Sequence, residues 1–160
     1  MIRVIRIDDA LWDSAGATRR DDWRISIADL VDDGRLGDDD DHLLHVAPAR
    51  HAVLMSTFDE QGAPRNMYEV PQAQLRVHAD EYMAIISKMY GDETNDASSR
   101  MHALDMAKKV VHDAGAKTLA RAAPELARDH ETYRRLFSLL LAVVVDVTKL
   151  PGAFAHRRHG

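Results

Sequence analysis

"HAVLMSTFDEQGAPRNMYEVP", residues 51–71, decides the fold class. From His51 to Phe58 the chain is rich in apolar and β-favouring side chains. "DEQGAP" (59–64) supplies turn chemistry, and Asn66, Tyr68 and Val70 then alternate with Arg65, Met67 and Glu69. This pattern predicts a hairpin over 51–70. Pro71 cannot donate to a strand ladder but suits the first position of a helix. Beyond it the apolar period changes from two to about 3.6. Leu75, Tyr82, Ile86, Met89 and Tyr90 mark one helical stripe, and Gly91 stops it.

Working upstream, "HLLHV" (42–46) reads as a further strand, separated from the hairpin by Pro48, and residues 2–8 of "MIRVIRIDD" as a strand followed by a turn. Between them Trp23, Ile27, Leu30 and Val31 recur at helical spacing from residue 18 onward, with Gly34 just past the end. "DDGRLGDDDDH" (32–42) repels itself and predicts a solvated loop.

Downstream, "GDETNDASS" (91–99) is a polar connection offering Ser98 or Ser99 as an N-cap. A helix over 98–114 buries Met101, Leu104, Ala107, Val111 and Ala114, with Gly115 as its terminating residue. Residues 116–127 hold a short helix interrupted at Pro124, and Asp129 caps a last helix over 130–146. From Leu136 to Val145 its only polar residue is Ser138, so it is either the central helix or meets a second subunit on one side. The class predicted is α+β: a small, mainly antiparallel sheet from the N-terminal half packed against three to four helices, mostly from the C-terminal half. Residues 1–147 form one domain and 148–160 a flexible tail.

Composition narrows the function classes. A chain of 160 residues, 46% of them hydrophobic, can bury one core. The most apolar run, 136–145, falls short of the roughly 18–20 residues of a membrane span, so no membrane association is expected. Without cysteine there is no disulfide framework and no thiolate chemistry, which fits a cytoplasmic protein. Acidic residues outnumber Lys and Arg 26 to 21, for a net charge of −5, and nucleic acid is not an expected partner.

The candidate chemistry lies in "ALDMAKKVVHDAG" (103–115). On a helix Asp105, Lys109 and His112 share one face and could present a carboxylate, an ammonium and an imidazole to a small anion. A purely structural account competes with it. Asp105 and Lys109 are spaced for an intrahelical ion pair, while Lys108, Lys109 and His112 sit where a helix C-terminus favours positive charge. Arg134 and Arg135 of "HETYRRLF" (130–137) could form an anion-binding edge, though Glu131 is spaced to pair with both. His42 and His45 beside the aspartates of "DDDDHLLH" invite a metal, but three or four ligands must converge and no HExxH or Cys₂His₂ spacing occurs. No GxGxxG, GxxxxGK[ST] or GxSxG is present either, so neither metal nor cofactor is expected.

Several strings carry a resemblance: "IRVIRIDD" (2–9), "SIADLVDDGRL" (26–36), "LRVHADEYMAII" (75–86), "LDMAKKVVHDAGAKTL" (104–119) and "HETYRRLFSLL" (130–140). Together they resemble an uncharacterised, mainly alphaproteobacterial protein family with no assigned activity, over most of the chain up to about residue 145. The family pattern implied is an acidic-methionine pair, two basic residues and a histidine before a glycine, matched by Asp105, Met106, Lys108, Lys109, His112 and Gly115. Paired arginines before Leu-Phe are matched by Arg134, Arg135, Leu136 and Phe137. The chain departs from it in carrying lysines where the family carries arginines, and in its tail after 146. The resemblance implies no reaction.

The expectation is therefore a non-catalytic regulatory or adaptor-type protein acting through protein contacts, as a homodimer. The first alternative is a small-anion binder or enzyme using Asp105, Lys108, Lys109, His112, Arg134 and Arg135, with the 98–114 and 130–146 helices facing each other across a cleft. The second is a metal-dependent hydrolase on His42, His45 and the aspartates.

Overall fold

The computed structural model describes residues 1–90 and 96–150. The expected stop at Gly91, much of the 91–99 connection and the tail from Pro151 lie outside the described residues. Four strands form one sheet in the order β1-β2-β3-β4: β1 (Val4–Ile7), β2 (Leu43–Pro48), β3 (Ala52–Phe58) and β4 (Pro64–Pro71). β1 runs parallel to β2 and the other pairs are antiparallel, so the sheet is mixed. The hairpin read from the alternation is β3–β4, with Val53 opposite Val70 and Met55 opposite Tyr68. Among the described residues five α-helices accompany the sheet: α1 (Asp9–Ser14), α2 (Ala17–Asp33), α3 (Gln72–Tyr90), α4 (Ala97–Ala122) and α5 (His130–Val144). The class is α+β.

α5 is the central helix. Leu136, Phe137 and Leu139 through Val143 are all buried, and α2, α3, α4 and β2 each contact it. Its apolar run is thus covered within the chain, and the observation that pointed to a homodimer is accounted for without a second subunit. Asp129 caps it as expected, accepting from the Thr132 backbone N–H at 2.7 Å. At its other end Trp23 Nε1 donates to the Ala142 carbonyl at 2.9 Å, and Arg19 reaches the carbonyls of Ala142 and Val143. Two α2 donors thereby satisfy C-terminal carbonyls that a helix leaves open.

Three expectations are corrected. Gly115 does not end a helix: α4 runs on to Ala122, because "AKTLARA" is, apart from Thr118, composed of strong helix formers and Gly115 serves a packing purpose instead. A Cβ built there would lie 2.3 Å from the Phe137 ring, so glycine is what lets α4 and α5 approach. The cap of α4 is Asp96 rather than Ser98 or Ser99, its carboxylate accepting from the Ser99 N–H at 2.7 Å. Nor is 32–42 simply solvated. Leu36 and Asp41 are buried, and Arg65 from β4 donates to Asp41 at 2.9 Å and to Asp38 at 3.0 Å, neutralising part of the acidic run. The loop is further tied to 126–128, Gly37 N–H donating to the Leu126 carbonyl at 2.7 Å.

Candidate functional site

α4 and α5 present two sets of polar residues with the same spacing: Asp105, Lys108, Lys109 and His112 on one, Glu131, Arg134, Arg135 and Ser138 on the other. Positions i, i+3, i+4 and i+7 lie on one face of a helix. Because α4 continues past Gly115 and packs against α5, the two faces oppose each other as the walls of a cleft of about 290 Å³ lined by these eight residues. All six sequence candidates are brought together there. Ser138, the single polar residue of the apolar run, joins them because it lies four and three residues beyond Arg134 and Arg135 on α5.

His112 is buried, contrary to a solvated helix end. Its Nδ1 lies 2.7 Å from the Lys108 carbonyl, which can only accept, so Nδ1 carries the proton and in the neutral ring Nε2 holds the lone pair. The ring meets Phe137 edge-on, with centroids 5.5 Å apart. Lys108 is half-buried. Burial pulls its ammonium below the usual lysine range, while the negative fields of Asp105 and of Asp22 on α2 act in the opposite direction. The anticipated Asp105–Lys109 pair is absent among the described residues.

The arginines differ. Arg134 is held, its NH1 donating to Asp113 on α4 at 3.0 Å and its Nε lying 3.9 Å from Glu131. Arg135, also half-buried, has no carboxylate within 4 Å among the described residues, though its charge helps hold the Asp129 carboxyl below the usual range. One guanidinium is thus fixed in place and the other left available at the cleft.

Asp113 also accepts from His130 Nε2 at 3.1 Å. That hydrogen bond above all, with Arg134 and Lys109 nearby, holds its carboxyl below the usual range against a smaller opposing effect of burial. A carboxyl depressed by folding adds stability above its unfolded value, and that stability is lost as pH falls through the depressed value. Asp113→Asn is accordingly expected to be less stable than the parent at neutral pH. The gap should close below about pH 4, as the parent carboxyl itself is protonated. Urea unfolding midpoints across that range provide the check, and a gap constant with pH would deny the carboxylate its role.

A second histidine, His78 on α3, stands alone in the sequence and so is not among the candidate site residues. Its signal was position: it shares the buried stripe with Leu75 and Tyr82. Thr118 Oγ1 donates to the Ala114 carbonyl, so its oxygen accepts from His78 Nε2 at 2.9 Å. His78 meets the opposite side of the seam, edge-on to Phe137 at 5.4 Å. It lines a larger cleft of about 650 Å³ with Glu69, Gln74, Thr118 and Arg121. That cleft carries one formal charge of each sign, whereas the α4–α5 cleft is lined by two lysines and two arginines against two carboxylates, with Asp113 beside Arg134 just outside the lining. Charge, not size, distinguishes the latter.

Asp41 faces Arg65, and among the described residues no three His, Asp or Glu side chains are grouped to hold a metal ion. Among the same residues no helix is long and apolar enough to cross a membrane.

Comparison with known proteins finds the same relatives along nearly the whole chain. A UPF0262 protein of Azorhizobium caulinodans is 26% identical over 147 residues, covering 88% of this chain and 91% of that protein. One from Hyphomonas neptunium is 23% identical over 155 residues, covering 94% and 96%. Another, from Maricaulis maris, is 28% identical over 148 residues, covering 88% and 92%. No solved structure matches. The family model matches residues 1–146, ending at the capping aspartate of the 3-10 turn Val147–Lys149, and on that match this chain belongs to the uncharacterised protein family UPF0262.

Proposed function

We propose that this protein binds a small anion in the α4–α5 cleft. The observation that carries the reading is the meeting of Lys108, Lys109, Arg134 and Arg135 from two helices around a buried imidazole, with Arg135 lacking a carboxylate partner within 4 Å among the described residues. Solvated lysines and arginines at a helix end need no ligand. Lys109 is exposed, but half-buried cations on facing walls, here Lys108, Arg134 and Arg135, gain from one, because an anion replaces lost hydration with charge-assisted hydrogen bonds in a partly dry site. Arg134, braced by Asp113, is pre-oriented, which lowers the entropy lost on binding.

The test is thermal unfolding against a panel of small carboxylates, phosphates and sulfate. At about 100-fold above its Kd, a ligand of the folded state adds about 2.7 kcal/mol, which for a chain of this size raises Tm by roughly 5–10 °C. The double substitution Lys109→Gln with Arg135→Gln should abolish the rise for the active anion. If no anion gives a rise, or if the double variant retains it, the cleft is not the binding site.

A further inference from the structure

We infer, resting on the anion-binding reading above, that the anion is a phosphate group carried on a small monoester rather than a carboxylate. Donors come from opposing directions: Lys108 and Lys109 from α4, Arg134, Arg135 and Ser138 from α5, with the His112 ring between them. A carboxylate is planar and presents two oxygens, which one arginine fork satisfies in that plane. It would leave the donors of the other wall without acceptors. A phosphate monoester presents three terminal oxygens in a tetrahedral array, so one oxygen can face each wall and a third the floor. It also carries nearly two negative charges at neutral pH, against two lysines and two arginines lining the cleft with two carboxylates, Asp113 bracing Arg134 from outside.

The carboxylates set the size of the body. Asp105 and Glu131 are exposed members of the lining, so a long polyanion extending outward would meet like charge. A volume of about 290 Å³ lies at the lower edge of the roughly 300–1,000 Å³ of small-molecule sites, which suits a phosphoryl group with a few carbon atoms. Glu131 lies 3.9 Å from Arg134 Nε, where it competes with the incoming phosphate for the same guanidinium.

The proposal is tested by isothermal titration calorimetry on the full chain at low salt, with glycerol phosphate, inorganic phosphate and succinate as separate probes. Glycerol phosphate is expected to bind at least about tenfold more tightly than succinate, with Arg135→Gln weakening it about tenfold. Glu131→Gln, at an exposed position where folding is not at issue, should tighten it about threefold by removing the competitor. Inorganic phosphate equalling glycerol phosphate would support the phosphate class and assign the cleft to the free ion; weaker binding would assign it to the ester. Succinate matching or exceeding both phosphates, with Arg135→Gln still weakening it, overturns the phosphate assignment and leaves the anion site standing. Binding of no probe, or binding that neither substitution changes, overturns the site together with its ligand.

Discussion

Phe137→Ala is expected to remove about 3–5 kcal/mol of folding stability, the range for truncating a fully buried phenylalanine. Phe137 is wholly buried at the crossing of α4 and α5, and both buried histidines meet its ring edge-on. Truncation opens a void between Gly115 and the two imidazoles, and the backbone cannot close it without shifting α4 along its length. As small domains are stable by only about 5–15 kcal/mol, the variant should unfold at much lower urea concentration. Phe137→Leu, which refills most of the volume, should lose far less. A loss below about 1 kcal/mol for alanine would mean that the seam is not close-packed.

The second large effect concerns Gly115. In an ordinary helix interior, glycine to alanine gains up to about 1 kcal/mol. Here the added methyl would lie 2.3–2.5 Å from three atoms of the Phe137 ring. Overpacking of that kind costs about 1–3 kcal/mol and exceeds the propensity gain, so Gly115→Ala should destabilise. The sign should reverse in a Phe137→Ala background, where the methyl enters vacated space and only the helix gain is left. That reversal makes the pair strongly non-additive, as residues in direct contact are. Stabilisation by Gly115→Ala in the parent protein would contradict the close approach of the helices.

What could be read from the chain, and what could not, divides by the range of the interaction. The β3–β4 hairpin, the change of period at Pro71 and the Asp129 cap are local signals and lie where the sequence indicates. A glycine after a helical stripe, however, reads the same whether it terminates the helix or admits a neighbouring ring. Only Phe137, far along the chain, decides between the two, and the run of helix formers after Gly115 was the available hint. The acidic run 38–41 likewise reads as self-repelling until Arg65 is placed beside it by the return strand. α1 escaped notice because six residues give too little periodicity to register.

The cleft shows both sides of this. Each wall was legible as a polar face, and the six residues named from sequence all line it. The interpretation of Lys108, Lys109 and His112 as features of a helix end failed with the helix end itself, whereas the expected pairing of Glu131 with Arg134 is present. The matching i, i+3, i+4, i+7 spacing on α4 and α5 was present in the sequence, but facing one another is a tertiary fact. Desolvation of His112 follows from that packing and from nothing local.

The central claim is that these two faces form one anion site, and the most direct measurement is an NMR titration of the isotope-labelled protein with glycerol phosphate. The account predicts saturable shifts concentrated in the 105–112 and 131–138 segments, including the Arg135 side-chain resonances and the His112 ring, with the His78 cleft on the other side of Phe137 much less affected. Shifts centred on Glu69, His78 and Arg121, or scattered over the surface without saturation, would contradict it.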